Sequence, residues 1–506
     1  MTDPILWTLV LLQIAMGGFD VLYHHEFTER LPWRPSAAKE LALHAVRNGL
    51  YAILFAVFAW SEPHGIWALL LASILVVEVG ITLWDFVEED LTRRLPASER
   101  VTHTLLALNY GAILAFLLPI LADWSARPSG LVPVSYGFGS LVLTVAAAGV
   151  LLFALRDLAM RRRARALALA PAAELADALE RRYRIVVTGG TGFVGARLVE
   201  ALAAAGHAVI VRTRDPAQAA RLRPPFTTVT DLMQLPKHLR IDAIVNLAGE
   251  PVATGLWTAA KRRRIVQSRV AMADEVGRFM ARHETPPKAL VAASAIGFYG
   301  LRGDEDLTEA DAGEPCFSHE STALVERAAD RAGEGLARVV KLRIGLVLGH
   351  EGGLLGKLLP AFDWCLGGRI GSGRQWMSWI ERDDLVRLIL HTIVTDELEG
   401  PVNATAPEPV RNGAFAGALG KVLRRPAILP LPAWVVRLGL GDMGRELLLG
   451  GQRVLPEKAL ASGFRFDRPD IASALDYCVR GPVATDARAA APVSSASETK
   501  APPHRA

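Results

Sequence analysis

A glycine-rich stretch at Thr188–Gly195 constrains the fold of this chain more than any other feature. It reads Thr-Gly-Gly-Thr-Gly-Phe-Val-Gly, after an apolar, β-branched run at Arg184–Val187 and before an Ala/Leu-rich run at Ala196–Leu202. The order predicts a strand, a tight glycine turn and a helix. Such a turn lets the backbone approach a pyrophosphate, and the N-terminus of the helix offers it free N–H groups. The pattern therefore predicts a dinucleotide-binding domain.

The end of the second predicted strand, His207–Arg212, indicates which dinucleotide is bound. NAD-binding domains usually place an acid there, whereas this strand ends in Arg212-Thr213-Arg214. Two guanidinium groups suit a 2′-phosphate better than a diol, so Arg212 and Arg214 favour NADP(H). The alternative is that both arginines are only solvated.

Further apolar runs alternate with helical patterns from Arg184 to about Arg425, which predicts a doubly wound parallel sheet. The run at 241–249 ends in a turn of small residues, and the run at 289–294 is followed by Tyr299. Ligands of such sheets bind at the carboxyl ends of the strands. The predicted cofactor-binding residues are Thr188, Gly189, Gly190, Thr191, Gly192, Phe193, Val194, Gly195, Arg212, Arg214, Asn246, Leu247, Ala248 and Gly249.

Five apolar segments precede this domain, and each has close to the ~20 residues that cross a bilayer. Basic residues lie between the first and second segments, between the third and fourth, and after the fifth, but are nearly absent from the other loops. This alternation predicts an outside N-terminus and a cytoplasmic nucleotide-binding domain at a bacterial-type inner (plasma) membrane. The predicted spans are roughly 5–23, 41–60, 66–86, 104–122 and 139–158.

Length and composition agree with several domains in a reducing compartment. The 506 residues predict about three domains. Three cysteines without paired spacing argue against a disulfide framework. The net charge is +4 and the arginines flank apolar segments, so the bilayer and a small-molecule substrate are the expected partners, not nucleic acid. The predicted divisions are a membrane domain (1–165), a linker helix (166–182), an α/β Rossmann-like domain (183–425), a small α-rich cap (426–480) and a disordered tail (481–506).

Acidic residues and histidines cluster where the first four predicted spans reach the cytoplasm. Some of them are four residues apart, as Glu99 and His103 are, and therefore share a helix face. Carboxylates and imidazoles from four helices could bind two metal ions, with His24, His44, Glu89 and His103 as the predicted ligands. The alternative is a solvated interface that also caps the helices.

Several motifs resemble the extended short-chain dehydrogenase/reductase, or NAD-dependent epimerase/dehydratase, superfamily. Three short ones are the glycine turn, Asn246–Gly249, and Ser294 with Phe298–Gly300. Longer ones are similar to a subgroup of NADP-binding, sugar-nucleotide epimerase-like proteins with a C-terminal cap. The resemblance covers about residues 183 to 478 and leaves out the apolar segments. The longer motifs occupy residues 246–251, 267–269, 293–300, 371–376 and 450–456.

The resemblance implies a Rossmann fold, bound NADP(H) and a nucleotide-sugar-like substrate, and it suggests site residues. The superfamily's catalytic tyrosine and lysine lie four residues apart on a helix, but Thr322 and Glu326 align with them here. We therefore predict Tyr299, Ser294 and Glu326 as catalytic residues. A glycine-bounded loop supplies predicted substrate contacts, since guanidinium and amide groups suit phosphate or carboxylate. These contacts are Arg374, Gln375 and Trp376.

Together these features predict a membrane-anchored, cytoplasm-facing, NADP-dependent oxidoreductase or epimerase-like enzyme. Its chemistry is hydride transfer at a hydroxyl or carbonyl carbon. One alternative is a non-catalytic NADP(H) sensor coupled to the membrane bundle, which the missing Tyr/Lys pair supports. Another is a redox relay from NADPH to a metal site in the bundle.

Overall fold

The computed structural model describes residues 3–93, 95–167, 171–220 and 222–482. It consists of an N-terminal helical bundle, an α/β domain and a helical C-terminal part, which confirms the predicted fold class. From residue 483 onward, the predicted disordered tail lies outside the described residues.

The bundle contains five helices that are long and apolar enough to cross a membrane by length and composition. A π-helical segment, Asp20–Thr28, continues the first of them, and a two-stranded antiparallel sheet closes the far end of the bundle. The elements are α1 (Pro4–Phe19), α2 (Ala38–Trp60), β1 (Ser61–His64), α3 (Ile66–Thr92), α4 (Ala97–Ser125), β2 (Gly130–Pro133) and α5 (Phe138–Ala166).

The helices extend beyond the predicted apolar spans at the end nearest the α/β domain. Helix α3 continues to Thr92, and α4 already begins at Ala97. The polar residues there, such as Glu89 and Glu99, are buried between helices. Polarity at these positions therefore does not mark the ends of the helices.

Much of the interior and of the outer surface of the bundle is apolar. Leu54, Phe58 and Leu117 pack inside it. Val76 and Leu108, by contrast, are 72% and 68% exposed. A continuous apolar exterior of this kind suits a lipid environment rather than water.

The α/β domain is built on seven parallel strands in the order β14-β9-β7-β6-β3-β4-β5. Its strands and those of the C-terminal part are β3 (Arg184–Thr188), β4 (Ala208–Arg212), β5 (Thr227–Val229), β6 (Ala243–Asn246), β7 (Ala289–Ala295), β8 (Asp306–Leu307), β9 (Arg338–Ile344), β10 (Leu346–Gly349), β11 (Gly352–Gly353), β12 (Trp376–Met377), β13 (Trp379–Glu381), β14 (Gly400–Ala404), β15 (Val410–Arg411) and β16 (Arg453–Val454). The helices are α6 (Phe193–Ala204), α7 (Pro216–Ala219), α8 (Ala259–Arg282), α9 (Phe317–Gly333), α10 (Leu355–Asp363), α11 (Arg382–Val394), α12 (Asn412–Leu423), α13 (Ala433–Gly444), α14 (Glu457–Ala461) and α15 (Ile471–Arg480).

The strand order explains where a ligand can bind. Strand β3 lies inside the sheet, and its successor β4 pairs on one side of it while β6 pairs on the other. The order reverses at this point, which opens a crevice at the carboxyl ends of β3 and β6. Ile185, Val186 and Val187 are completely buried, as expected for a strand covered by helices on both faces.

The segment between the bundle and the sheet differs from the predicted linker helix over 166–182. Helix α5 ends at Ala166, and the only regular element described in the rest of that range is a 3₁₀ helix, Ala172–Ala176, preceded by Pro171. Leu167 and, from the bundle, Trp33 pack into an apolar core of the α/β domain.

Candidate functional site

The turn after β3 has the backbone geometry that only glycine allows. Gly189 has a φ of +69°, and a Cβ atom there would lie 2.7 Å from the carbonyl carbon of Leu247. A Cβ atom on Gly195 would lie 2.2 Å from the Gly189 carbonyl oxygen. Gly192 is the N-cap of α6. The turn therefore leaves an open approach to the N-terminus of α6, as a pyrophosphate site requires.

Hydrogen bonds join the ends of β3 and β6 beside this turn. Thr188 Oγ1 donates to Asn246 Oδ1 at 2.6 Å, and the Leu247 N–H donates to the Thr188 carbonyl oxygen at 3.1 Å. The Ala248 N–H also donates to Thr188 Oγ1, at 3.3 Å. A Cβ atom on Gly249 would lie 2.7 Å from Cζ of Arg269, so the small residue makes room for this guanidinium. Thr188 and the turn at 246–249 therefore form one wall of the crevice.

The other residues of the glycine stretch pack against neighbouring elements or lie at the crevice. A Cβ atom on Gly190 would lie 2.9 Å from Val211 Cγ1, so this glycine allows α6 and β4 to approach closely. The ring of Phe193 packs against the backbone at Gly349, Gly352 and Gly353. Thr191 and Val194 are partly exposed.

The two arginines predicted to bind a 2′-phosphate have different surroundings. Arg212 is held by Glu275, with Nε–Oε1 and Nη2–Oε2 distances of 3.0 and 2.6 Å. Arg214 is exposed and forms no ion pair with any residue of the described ranges. Arg214 is consequently the guanidinium that is available to a ligand, whereas Arg212 already has a carboxylate partner.

A cavity of about 290 Å³ opens beside this wall, at the carboxyl ends of β6, β7 and β9. Leu247 and Ala248 connect it to the glycine turn. It is lined by apolar side chains and a few polar groups, the composition typical of a cofactor and substrate site. The polar side chains that line it are those of Arg269, Ser294, Ser321 and Thr322.

Two of the predicted catalytic residues meet at this cavity. Ser294 Oγ donates a 2.6 Å hydrogen bond to Oε1 of Glu326. The Glu326 carboxylate also accepts from Arg343, with Nε–Oε1 and Nη2–Oε2 distances of 2.9 and 3.1 Å. Ser294 is thus a hydroxyl at the cavity wall with a buried, ion-paired carboxylate behind it.

The third predicted catalytic residue, Tyr299, does not reach the cavity, and this prediction is corrected. Its side chain is fully buried, and its hydroxyl accepts from Arg343 Nη1 at 3.0 Å. The same hydroxyl lies 2.7 Å from Asn403 Oδ1 and 2.8 Å from the Thr308 carbonyl oxygen. Burial raises the pKa of Tyr299 to about 12, despite the opposing effect of Arg343. Tyr299 therefore has a structural position, without access to a substrate.

The predicted substrate loop is also a structural feature, because none of its three residues lines the cavity. Gln375 Nε2 donates to the carbonyl oxygens of Ile370 and Leu448, which connects the loop to the C-terminal part. Trp376 Nε1 donates to Asp304 at 2.8 Å. Arg374 is exposed on the surface beside them. Polar residues between glycines predicted a ligand contact here, but Gln375 and Trp376 donate to groups of the protein itself.

Sequence reasoning missed Arg269, Ser321 and Arg343 as members of the site. Arg269 lies in the motif at 267–269, whose chemical role the sequence does not reveal. Arg343 lies in the buried strand β9, where an arginine signals an internal carboxylate partner. Ser321 gave no signal, because it reaches the cavity only through the packing of α9 against β7.

The predicted metal ligands lie in a buried polar cluster at the end of the bundle nearest the α/β domain. Ligand atoms of His25, Glu89, Glu99 and His103 lie within 4.8 Å of one another, and so do those of Glu40, His44 and Glu89. His24 belongs to neither group. Its Nδ1 lies 2.8 Å from Asp20 Oδ1 and its Nε2 lies 3.3 Å from Ser98 Oγ. In the structure, His25 and not His24 belongs to the group of possible metal ligands.

Comparison with known proteins places this geometry in a family. The model of the "NAD dependent epimerase/dehydratase family" matches residues 185–403, and "Domain of unknown function (DUF1731)" matches residues 431–478. The chain is 37% identical to "Epimerase family protein SDR39U1 homolog, chloroplastic" of Arabidopsis thaliana, over 58% of this chain and 86% of that protein. It is 35% identical to "Epimerase family protein YfhF" of Bacillus subtilis, over 58% and 97%.

A solved structure agrees with these matches. The crystal structure of human epimerase family protein SDR39U1 (isoform 2) with NADPH has 32% sequence identity and a TM-score of 0.54. The similarity covers 59% of this chain and all of the human one. The matched regions include the glycine turn and the cavity, and the family model begins after the five bundle helices. The chain therefore belongs to the NAD dependent epimerase/dehydratase family.

Proposed function

We propose that this protein is a membrane-anchored, NADP(H)-dependent oxidoreductase or epimerase-like enzyme. The observation that supports the proposal is the continuity between the glycine turn and the 290 Å³ cavity, whose wall includes Ser294. Hydride transfer at a hydroxyl or carbonyl carbon is the chemistry that this arrangement supports.

NADP(H) fits the residues present better than NAD(H). The glycine turn and the N-terminus of α6 suit the pyrophosphate, and Arg214 offers a free guanidinium to a 2′-phosphate. The human relative was crystallised with NADPH. When bound, the nicotinamide supplies or accepts the hydride.

Ser294 and Glu326 are placed to handle the accompanying proton. In the oxidation direction, a substrate hydroxyl gives its proton to Ser294 Oγ while Ser294 passes its own to Glu326. The reverse sequence protonates the oxygen of a reduced carbonyl. Arg343 holds Glu326 in place for both directions. The pair would thus perform the task that a tyrosine and a lysine perform elsewhere in the superfamily.

The bundle supports membrane anchoring with the α/β domain on the cytoplasmic side. Five apolar helices, an apolar outer surface and the alternation of basic loops all favour this placement. The longer motifs resemble those of a subgroup of sugar-nucleotide epimerase-like proteins, so nucleotide sugars are the first substrates to test.

The test is turnover by the purified full-length chain in detergent. Nicotinamide absorbance would be followed with NADPH and a panel of 4-keto nucleotide sugars and small ketones. We expect oxidation of NADPH by at least one of them, a loss of about tenfold or more in Ser294→Ala and Glu326→Gln, and no loss in the exposed control Ser372→Ala. Tight NADPH binding with no turnover of any panel member would instead indicate the sensor function.

A second candidate, a redox relay from NADPH into the bundle, is favoured by one specific observation. The buried polar cluster lies at the bundle end that contacts the α/β domain, where Arg30 donates to the carbonyl oxygen of Gly356. Substrate-independent oxidation of NADPH that requires the bundle histidines would distinguish the relay from the enzyme.

A further inference from the structure

The polar cluster in the bundle is unusual because carboxylates and imidazoles meet in its interior. Four of its members, Glu40, His44, Glu89 and Glu99, are at most 3% exposed. Buried charges of like sign repel unless a cation lies among them. The cluster therefore needs positive charge.

Part of that charge comes from Arg93. Its Nη2 lies 2.7 Å from Glu99, 2.9 Å from Glu40 and 3.4 Å from Glu89. Its Nη1 also lies 3.7 Å from Glu29 Oε2, a partner outside the two ligand groups. Arg93 can therefore keep an ion pair when a cation takes the other three carboxylates.

Three buried polar atoms of the cluster lie near charged groups but form no hydrogen bond with them. Within the described part of the chain, His25 Nε2, His44 Nε2 and Glu89 Oε2 are buried without a hydrogen bond. Glu89 Oε2 is nevertheless only 3.4 Å from His103 Nδ1. Close contacts without hydrogen-bond geometry are expected of ligands that share an ion.

The Asp20 carboxylate orients the His103 imidazole as carboxylates do in metal sites. His103 Nε2 lies 3.2 Å from Asp20 Oδ2, which leaves Nδ1 facing the cluster. His44 Nε2 lies 3.0 Å from Asp85 Oδ2 but forms no hydrogen bond with it, so Asp85 does not orient His44 in the same way. Histidine ligands commonly bind a carboxylate through the ring nitrogen that does not face the metal.

The helices present these ligands in a regular way. Glu40 and His44 lie four apart on α2, and Glu99 and His103 lie four apart on α4, so each pair shares a helix face. His25 lies on the π-helical continuation of α1, and π-helical turns are frequent at functional sites. Carboxylate and histidine pairs on facing helices are how helical bundles bind metal ions.

We infer that the bundle binds divalent transition-metal ions at His25, Glu89, Glu99 and His103, with a second position at Glu40, His44 and the shared Glu89. Imidazole and carboxylate ligands without thiolate suit iron, manganese or zinc. His103 and Asp20 also line a cavity of about 320 Å³ between the helices, with Tyr51 and Tyr110 on its wall. An ion at His103 would thus face a space that admits a small molecule.

The test is metal analysis of the full-length chain purified in detergent, aerobically and anaerobically. We expect one to two iron, manganese or zinc ions per chain. Combined Glu99→Gln and His103→Gln should remove most of the metal, as should His25→Gln alone. His64→Gln is the matched control, because His64 is buried at the opposite end of the bundle beside Glu62. His24→Gln should keep its metal.

A second readout can also be made on the unmodified chain. After treatment with a chelator, Mn²⁺, Fe²⁺ or Zn²⁺ should raise the unfolding temperature of the unmodified chain and of His64→Gln, but not of the ligand variants. Arg93→Gln removes a competing cation and should retain metal more tightly. Substoichiometric metal in both preparations, together with no thermal shift on adding any of the three ions, would overturn the inference and leave a network of ion pairs.

Discussion

Arg212 and Arg214 are two residues apart in the sequence, yet only one is available to a ligand. Glu275 engages Arg212 through two hydrogen bonds, whereas Arg214 faces solvent at the end of β4. The structure therefore pairs Arg212 with a carboxylate and leaves Arg214 available to a ligand.

Replacing Arg214 with Ala should weaken NADPH binding by about tenfold to a hundredfold, the effect of losing a hydrogen bond to a charged group. NADH binding should change little, because NADH lacks the 2′-phosphate. Titration of the purified chain with both nucleotides measures this difference. Arg212→Lys is the comparison variant, and a larger loss of NADPH affinity in it than in Arg214→Ala would contradict the assignment.

Tyr299 should matter for stability rather than for cofactor binding. Tyr299→Phe leaves Arg343 Nη1 and Asn403 Oδ1 without their shared hydroxyl, at a cost of about 1–3 kcal/mol in the free energy of unfolding. Thermal unfolding in detergent should show a lower midpoint with an unchanged NADPH dissociation constant. If turnover is found, a loss of activity with no loss of stability would return Tyr299 to the catalytic residues.

At the scale of elements, the sequence predicted those turns, strands and helices that depend on residues close together in the chain. The glycine turn, the buried strands and the five apolar helices each have a periodicity or a steric requirement that can be read from the chain. The extra turns of α3 and α4 were missed because their polar residues are buried by other helices. The linker helix was predicted from composition, but residues 171–182 contain a short 3₁₀ helix at Ala172–Ala176 instead.

The candidate site also combines features set by local sequence with features set by tertiary packing. Thr188 and Gly189 are placed by the strand and turn that contain them. The contact between Ser294 and Glu326 joins β7 to α9, and that between Glu326 and Arg343 joins α9 to β9. The sequence suggested Ser294 and Glu326 as separate residues. Only tertiary packing shows that these two side chains touch and that Tyr299 lies on the far side of Arg343.

The arrangement of the helices predicts a definite topology. A cysteine introduced as Pro128→Cys, in the loop between α4 and β2, should react with an impermeant reagent on intact cells. Ala97→Cys at the start of α4 should react only after permeabilisation, since the basic loops favour the cytoplasm. The native Cys365 is exposed in the α/β domain and is expected to react under the same conditions as Ala97→Cys. Labelling of Ala97→Cys in intact cells would refute the five-span arrangement.

At the scale of the whole molecule, the bundle and the α/β domain are joined by packing as well as by the chain. Trp33 lies in the apolar core that contains Leu355 and Trp379. Cζ of Arg163 lies 4.2 Å from the centre of the Trp33 ring. Arg163 also forms a 2.7 Å ion pair with Asp363. These contacts attach the domain to one end of the bundle.

Trp33→Ala should therefore destabilise the α/β domain although the residue belongs to the N-terminal region. A buried tryptophan reduced to alanine typically costs about 3–5 kcal/mol. Thermal unfolding of the full chain in detergent should show this, while Trp67→Ala, at a residue 43% exposed in α3, should have a small effect. Equal destabilisation by both variants would indicate that Trp33 does not join the two parts.

The proposed function depends most on whether the α/β domain binds NADP(H). The direct measurement is equilibrium binding of NADPH and NADH to the purified full-length chain, followed by nicotinamide fluorescence. The account predicts saturable binding with NADPH preferred by about tenfold or more, as one additional charged hydrogen bond at Arg214 would give. Binding of neither nucleotide, or equal or tighter binding of NADH, would contradict it.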